Sequence, residues 1–200
     1  MVIKWGEPWG EPGVRPPEAV VAGSDHELAS LAAAAHSRGE PLVAGVGAGD
    51  VLTTLGVEPE RPPADHHYYP FDLGVASLDG AEPVPFVASV IARRWGWSGQ
   101  IAVVMNVGWY RNWYLGPRAH PNDGLLDITV GQLPLRQRLL ARSRATSGSH
   151  LPHPRLRTLR RGRWDHVFDR PTPVLLDGRS VGRHRTLEVS VIPNCFTLVV

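Results

Sequence analysis

Cysteine is nearly absent: Cys195 is the only one in 200 residues. An internal disulfide is therefore excluded. Cys195 lies in the apolar run leading to Val200, where a buried, inert thiol is expected. Long apolar runs are also missing, and none approaches the length of a membrane-spanning helix. The opening Met1-Val2-Ile3-Lys4-Trp5 has no apolar core of signal-peptide length. These absences predict a soluble, cytoplasmic protein that meets lipid, if at all, peripherally from the surface. Glycine and proline together make a fifth of the chain, 21 and 19 of 200 residues. That is below the roughly 25–30% that marks low-complexity disorder, so many short elements joined by turns are expected. The length suits one domain or two small ones, with room for a substantial core.

Net charge is only +2, but the halves differ. Residues 1–100 hold 6 basic and 13 acidic side chains, residues 101–200 hold 15 and 6, giving −7 and +9. Such asymmetry suggests an anionic partner for the second half, or pairing of one half with the other. Every basic residue of the second half is arginine, which suits phosphate geometrically.

Residues 1–18 read as an irregular Pro/Gly-rich arm with two matching units, Trp5-Gly6-Glu7-Pro8 and Trp9-Gly10-Glu11-Pro12. Residues 19–60 then alternate strand, turn and helix. Ala19 to Ala22 reads as a strand and Gly23 to His26 as a turn. Glu27 to His36 reads as an alanine-rich helix capped by Ser24 or Asp25. Pro41 to Val46 reads as the next strand, and Val51 to Leu55 as a short helix closed by Gly56. This is the rhythm of a parallel α/β unit. After Arg61-Pro62-Pro63 the rhythm becomes antiparallel, with strands over Tyr69–Ala76, Pro85–Ala88, Gln100–Val107 and Leu125–Val130. Others are expected over Trp164–Phe168, Val174–Leu176, Arg185–Ile192 and Phe196–Val200. Only Leu133 to Arg144 reads as a helix there, with Leu135, Leu139 and Leu140 as its apolar side.

The stretch from Pro117 to Val130 organises the second half. Pro121 and Asn122-Asp123-Gly124 carry turn chemistry. Leu126, Ile128 and Val130 then alternate with Asp127 and Thr129 along a strand. Two readings of the loop stand: a tight turn, or a hard-cation site with Asp123 as carboxylate ligand and nearby carbonyls completing the shell.

This stretch resembles "APxAxPDDGLLDVxVV" of the diacylglycerol kinase and sphingosine kinase family. The resemblance rests on Asn106-Val107-Gly108, Gly116-Pro117-Arg118-Ala119 and Asn122-Asp123-Gly124-Leu125-Leu126-Asp127, in that order. It continues through the Leu133–Arg144 segment, Gly148-Ser149-His150 and Leu176-Asp177-Gly178-Arg179. It implies an α+β fold: a small α/β lobe (19–60) followed by an antiparallel β-sandwich-like domain (61–200), like NAD kinase and diacylglycerol kinase. It implies a lipid hydroxyl phosphorylated from ATP with magnesium, and Asp177 as the base that takes the hydroxyl proton. It assigns nucleotide binding to Gly23 and Asp25 in one loop and to Gly47 and Asp50 in another. It assigns a structural cation to Asp123 with the main-chain carbonyls of His120 and Leu125.

The chain also departs from the family pattern. Ser24, His26 and Glu27 replace two glycines and a threonine of "GGDGT", Gly49 replaces an asparagine, and Arg179 replaces the glutamate of "LDGE". Glu27 places negative charge where phosphate oxygens would sit. The expected alternative to a kinase is thus a non-catalytic relative that binds lipid or regulates. Asp65-His66-His67 is expected to be a polar strand entry, since adjacent strand residues face opposite ways and zinc needs four ligands. The run from Arg155 to Arg163 beside Trp164 reads as a solvated hairpin, as an anionic membrane surface contact, or as a nucleic-acid track, the last resting on arginines alone. A homodimer burying some of Trp5, Trp9, Trp95 and Trp97 is also expected.

Overall fold

The computed structural model describes residues 9–57 and 66–200. Trp5, the first Trp-Gly-Glu-Pro unit, the Arg61-Pro62-Pro63 boundary and Asp65 lie outside the described residues. In chain order the elements are β1 (Glu11–Gly13), β2 (Val20–Ala22), α1 (Asp25–Ser37), β3 (Val43–Val46) and α2 (Asp50–Leu55). There follow β4 (His66–Leu78), β5 (Val84–Phe86), β6 (Ser89–Ala92), a 3₁₀ turn (Trp95–Trp97) and β7 (Gln100–Met105). Then come β8 (Trp109–Tyr110), β9 (Trp113–Tyr114), β10 (Leu126–Gln132) and α3 (Leu135–Ala145). The last three strands are β11 (Leu156–Arg161), β12 (Arg163–Leu176) and β13 (Arg179–Val199).

The main sheet runs β1-β4-β13-β12-β6-β7-β10-β11, with every neighbour antiparallel. This is the expected mostly antiparallel, sandwich-like architecture. The α/β segment is stitched into it: β2 pairs parallel with β3, and β3 pairs parallel with β13 through Val43↔Thr197 and Ala44↔Leu198. Its core is shared as well. Leu28, Ala29 and Ala32 of α1 and Val51 of α2 pack with Phe71, Val87, Val107 and Leu198. About forty residues bury too little surface to stand alone, and here they borrow the face of the sheet.

Local signals explain most boundaries. Ser24 caps α1, its Oγ accepting the Glu27 N–H at 3.3 Å. Gly56 ends α2 in the left-handed region at φ 64°. Leu126 and Ile128 of β10 enter the sandwich core with Val90, Val104 and Leu187. Expected strands over 164–168 and 174–176 are one strand, bent where the register shifts between Val167 and Thr172 at the Pro171/Pro173 pair. Prolines there remove ladder donors without ending the strand. Two readings need correction. The arginine-rich run is largely strand β11, paired with β10 in six-residue register. The supposed apolar side of α3 is not packed: Leu135, Leu139 and Leu140 are 62%, 61% and 50% exposed. The helix instead buries Ala145, and Leu135 and Leu139 sit at the rim of a cavity rather than over a filled core.

Candidate functional site

Three carboxylates meet where the N-terminal loops face the β12–β13 turn. Asp177 and Gly178 form that two-residue turn, at φ 45° and 76°. Two successive positive φ values are what a tight hairpin of the type I′ kind demands. The Asp177 carboxylate turns inward and accepts three amides: Val87 N–H at 2.9 Å, Ala88 N–H at 2.8 Å and Ser89 N–H at 2.9 Å. Asp177 is therefore both hairpin residue and anchor of the loop before β6.

Asp25 opens α1, and its Oδ2 accepts the Asp50 N–H at 2.6 Å. Asp50 opens α2, and its Oδ1 accepts the Arg111 N–H at 2.5 Å. Gly49, at φ 142°, lies so close to the Asp25 carboxylate that any side chain there would overlap it. Burial, then the charge of Asp177, pushes Asp25 up to about 7. Burial raises Asp177 to about 6, against the pull of its three amides and with a further push from Asp50. Asp50 is also raised by burial, while the Arg111 amide and guanidinium hold it back.

The loop amides assigned to nucleotide binding already have acceptors. Gly23 N–H donates to Glu27 Oε2 at 2.7 Å, Gly47 N–H to Ala22 O at 2.8 Å, and Asp50 N–H to Asp25. Glu27 thus folds back to close the helix N-terminus that a phosphate would use. Arg179 Nη1 donates to His26 Nε2 at 2.7 Å. These residues do not fit a triphosphate: its charge would meet Glu27, Asp25 and Asp50 at the amides meant to receive it. Nor does any group of three or more His, Cys, Asp or Glu among the described residues form a metal-holding cluster.

The Asp123 loop is held by side chains. Asp72, fully buried in β4, accepts Gly124 N–H at 2.7 Å through Oδ2 and Asn194 N–H at 2.8 Å through Oδ1. Burial raises Asp72 to about 6 despite those two amides. Asp123 Oδ1 accepts Leu125 N–H at 2.9 Å, and its Oδ2 is ion-paired with Arg160 Nη2. Arg160 Nε lies 3.0 Å from Asp127 Oδ1. The guanidinium occupies the charge position a cation would take, so the donors as they stand do not fit a divalent ion. His120 Nδ1 accepts Asn122 N–H at 3.2 Å, and its ring packs edge-on to Trp9 at 4.7 Å.

A cavity of about 690 Å³ opens between α3, the 3₁₀ turn and the sheet. Trp97, Ile101, Val103, Trp113, Leu115 and Leu133 line it, with Leu135, Leu139, Arg138 and Arg142 at the helix side. Trp95 stands beside it, 92% exposed. A size of roughly 300–1,000 Å³ with mostly apolar walls is usual for a small-molecule site.

A family model, the YegS C-terminal NAD kinase beta sandwich-like domain, matches residues 46–200. The chain belongs to that family. Solved structures agree on the fold. A candidate diacylglycerol kinase from Bacillus anthracis str. Sterne is 15% identical, with a TM-score of 0.65, covering 90% of this chain and 76% of that one. Another structure of a diacylglycerol kinase from the same organism has a TM-score of 0.55 at 15% identity, covering 80% of this chain and 66% of that one. No curated protein matches the sequence. The diacylglycerol kinase-like resemblance read from the sequence thus holds at the level of family and fold.

Within this YegS-type domain lie Gly47, Asp50, Asp123 and Asp177, whereas Gly23 and Asp25 precede the match. The structure brings Asp25, Asp50 and Asp177 to one place and leaves Asp123 in another. Sequence reasoning passed over Asp72, Arg93 and Arg111, and took Arg160 only as one member of the arginine run. A lone carboxylate inside the otherwise apolar Tyr69–Ala76 strand was the available signal for Asp72. Nothing in local pattern distinguishes Arg160 from its neighbours. Among the described residues no helix is long and apolar enough to cross a membrane.

Proposed function

We propose that this chain is a non-catalytic member of the lipid-kinase family that binds an amphiphile in the cavity beneath α3. The observation that carries the reading is the closed Gly23 amide: Glu27 supplies an internal carboxylate where a nucleotide phosphate would have to bind. The cavity supplies what remains, an apolar chamber with arginines at its edge.

Radiolabelled ATP with magnesium, incubated with diacylglycerol, sphingosine and phosphatidylglycerol, is expected to leave no label in lipid. Titration of the same lipids is expected to change tryptophan emission through Trp97 and Trp113. Label appearing in any lipid would overturn the non-catalytic reading. The kinase reading keeps one supporting observation: Asp177 is raised to about 6, toward the range of a working base. In that reading Asp177→Asn removes turnover and spares lipid binding.

A further inference from the structure

Beside the apolar cavity lies a second chamber of about 550 Å³, lined by Arg93, Arg111, Asn112, Arg142, Ser143 and Thr146. Arg93 and Arg142 also line the apolar cavity, so the two chambers lie side by side and share these residues. Each arginine is braced by an aromatic ring. Arg93 Cζ lies 4.9 Å from the Trp97 ring centre, Arg111 Cζ 5.5 Å from Tyr110, and Arg142 Cζ 5.8 Å from Trp113. Stacking fixes the guanidinium plane while leaving its N–H edge free to donate.

None of these three guanidiniums has an ion-pair partner among the described residues. Arg93 Nε is buried without a hydrogen-bond acceptor. Asp50 feels the charge of Arg111, but it binds that residue through the backbone amide and not as an ion pair. Three like charges lining one chamber, with no direct ion pair and only Asp50 among the described residues close enough to feel one of them, repel one another, and the cost is recovered when an anion enters. Asn112 supplies a further polar side chain, while the Ser143 and Thr146 hydroxyls already donate to Leu140 O and Ser143 O. An anion with several oxygens matches this set, and its position next to the apolar chamber matches a head joined to a chain.

We infer that Arg93, Arg111 and Arg142 form a headgroup subsite for a phosphate monoester, so that the ligand is an already phosphorylated amphiphile. The inference rests on the lipid-binding reading above and adds the charge of the ligand to it. The chain enters the cavity walled by Ile101, Val103 and Leu115, and the phosphate sits between the three guanidiniums.

The test compares a single-chain lysophosphatidic acid with the monoacylglycerol of the same chain, each below its micelle concentration, by tryptophan emission. Inorganic phosphate and glycerol 3-phosphate supply the head without the chain. Wild type is expected to bind the phosphorylated lipid at least about tenfold more tightly than its uncharged partner, as charge-assisted hydrogen bonds require. Arg111→Gln, at a residue that lines the second chamber and not the apolar one, is expected to reduce that preference several-fold and leave monoacylglycerol binding intact, which also shows that the variant folds. Arg157→Gln, on an exposed position of β11, is expected to change neither. Equal affinity for the two lipids, or a preference unaffected by Arg111→Gln, overturns the subsite while the lipid reading stands. Failure of both lipids to bind overturns the lipid reading and the subsite with it. Inorganic phosphate binding as tightly as the phosphorylated lipid makes this a phosphate site without a chain, which also overturns the proposal.

Discussion

Arg179 Nη1 donates to His26 Nε2 across 2.7 Å, joining the first residue of β13 to the first turn of α1. Both residues depart from the lipid-kinase pattern, His26 standing where that pattern has glycine and Arg179 where it has glutamate. The two departures meet in space. One replaces a bare backbone with a ring, and the other replaces a carboxylate with the donor that ring accepts.

Glu27→Ala should loosen the helix that Glu27 closes. Gly23 N–H loses its acceptor, and a lost cap interaction costs about 1 kcal/mol. Urea denaturation should show a lower midpoint with an unchanged slope. An unchanged midpoint would mean that water replaces the carboxylate at no cost.

Asp177→Ala should be far more damaging than Glu27→Ala. It strands the amides of Val87, Ala88 and Ser89 together, each worth roughly 1–3 kcal/mol when buried and unsatisfied. Asp177→Asn should fall between, because an amide NH₂ in one carboxylate position faces an N–H donor. Thermal unfolding of the two variants gives the order. Activity measured on Asp177→Asn therefore needs a stability measurement beside it.

The carboxylate cluster should make stability fall as pH rises. Asp25 lies at about 7 in the fold against an ordinary 3.8, so the native state holds a proton that the unfolded chain has released. That contribution is complete below the ordinary value and is lost as pH rises through about 7. Asp25→Asn keeps an acceptor for the Asp50 N–H and removes the charge. It should raise Tm more at pH 8 than at pH 5 relative to wild type. The comparison with wild type cancels the opposing contribution of His120, His150 and His166, whose values burial lowers. A Tm difference that does not change with pH would contradict the shift.

Arg160→Ala should leave Asp123 without its cation and Asp127 with only Arg118, 3.9 Å away, at a cost of about 3–5 kcal/mol for a broken buried pair, less here for partial exposure and the remaining arginine. The vacancy should then accept magnesium or calcium. Millimolar divalent ion is expected to restore part of the lost Tm in Arg160→Ala and to leave wild type unmoved. Equal response of the two proteins would show that Arg160 is no substitute for an ion.

Much of the fold was legible because its signals are local. Gly56 ends a helix, Ser24 begins one, and Leu126 and Ile128 alternate into a core. Asp177-Gly178 reads as a hairpin turn, and that is its backbone; its three amide bonds could not be read, since they reach 88 to 90 residues back. The same holds for Asp72 with Gly124 and Asn194. The exposed leucines of α3 misled because periodicity reports a stripe without reporting what lies under it. Arg93, Arg111 and Arg142 come from three separate segments, and only the fold assembles them.

The parallel pairing of β3 with β13 has a consequence for biosynthesis. Residues 20–57 leave the ribosome early, yet the inner edge of β3 finds its partner only at Thr197 and Leu198. At about 5–20 residues per second, that edge stays open for roughly 8–30 seconds of synthesis. This earlier-made segment is thus among the last parts of the fold to be completed, and its Val43–Val46 edge is an unpaired strand until Leu198 arrives.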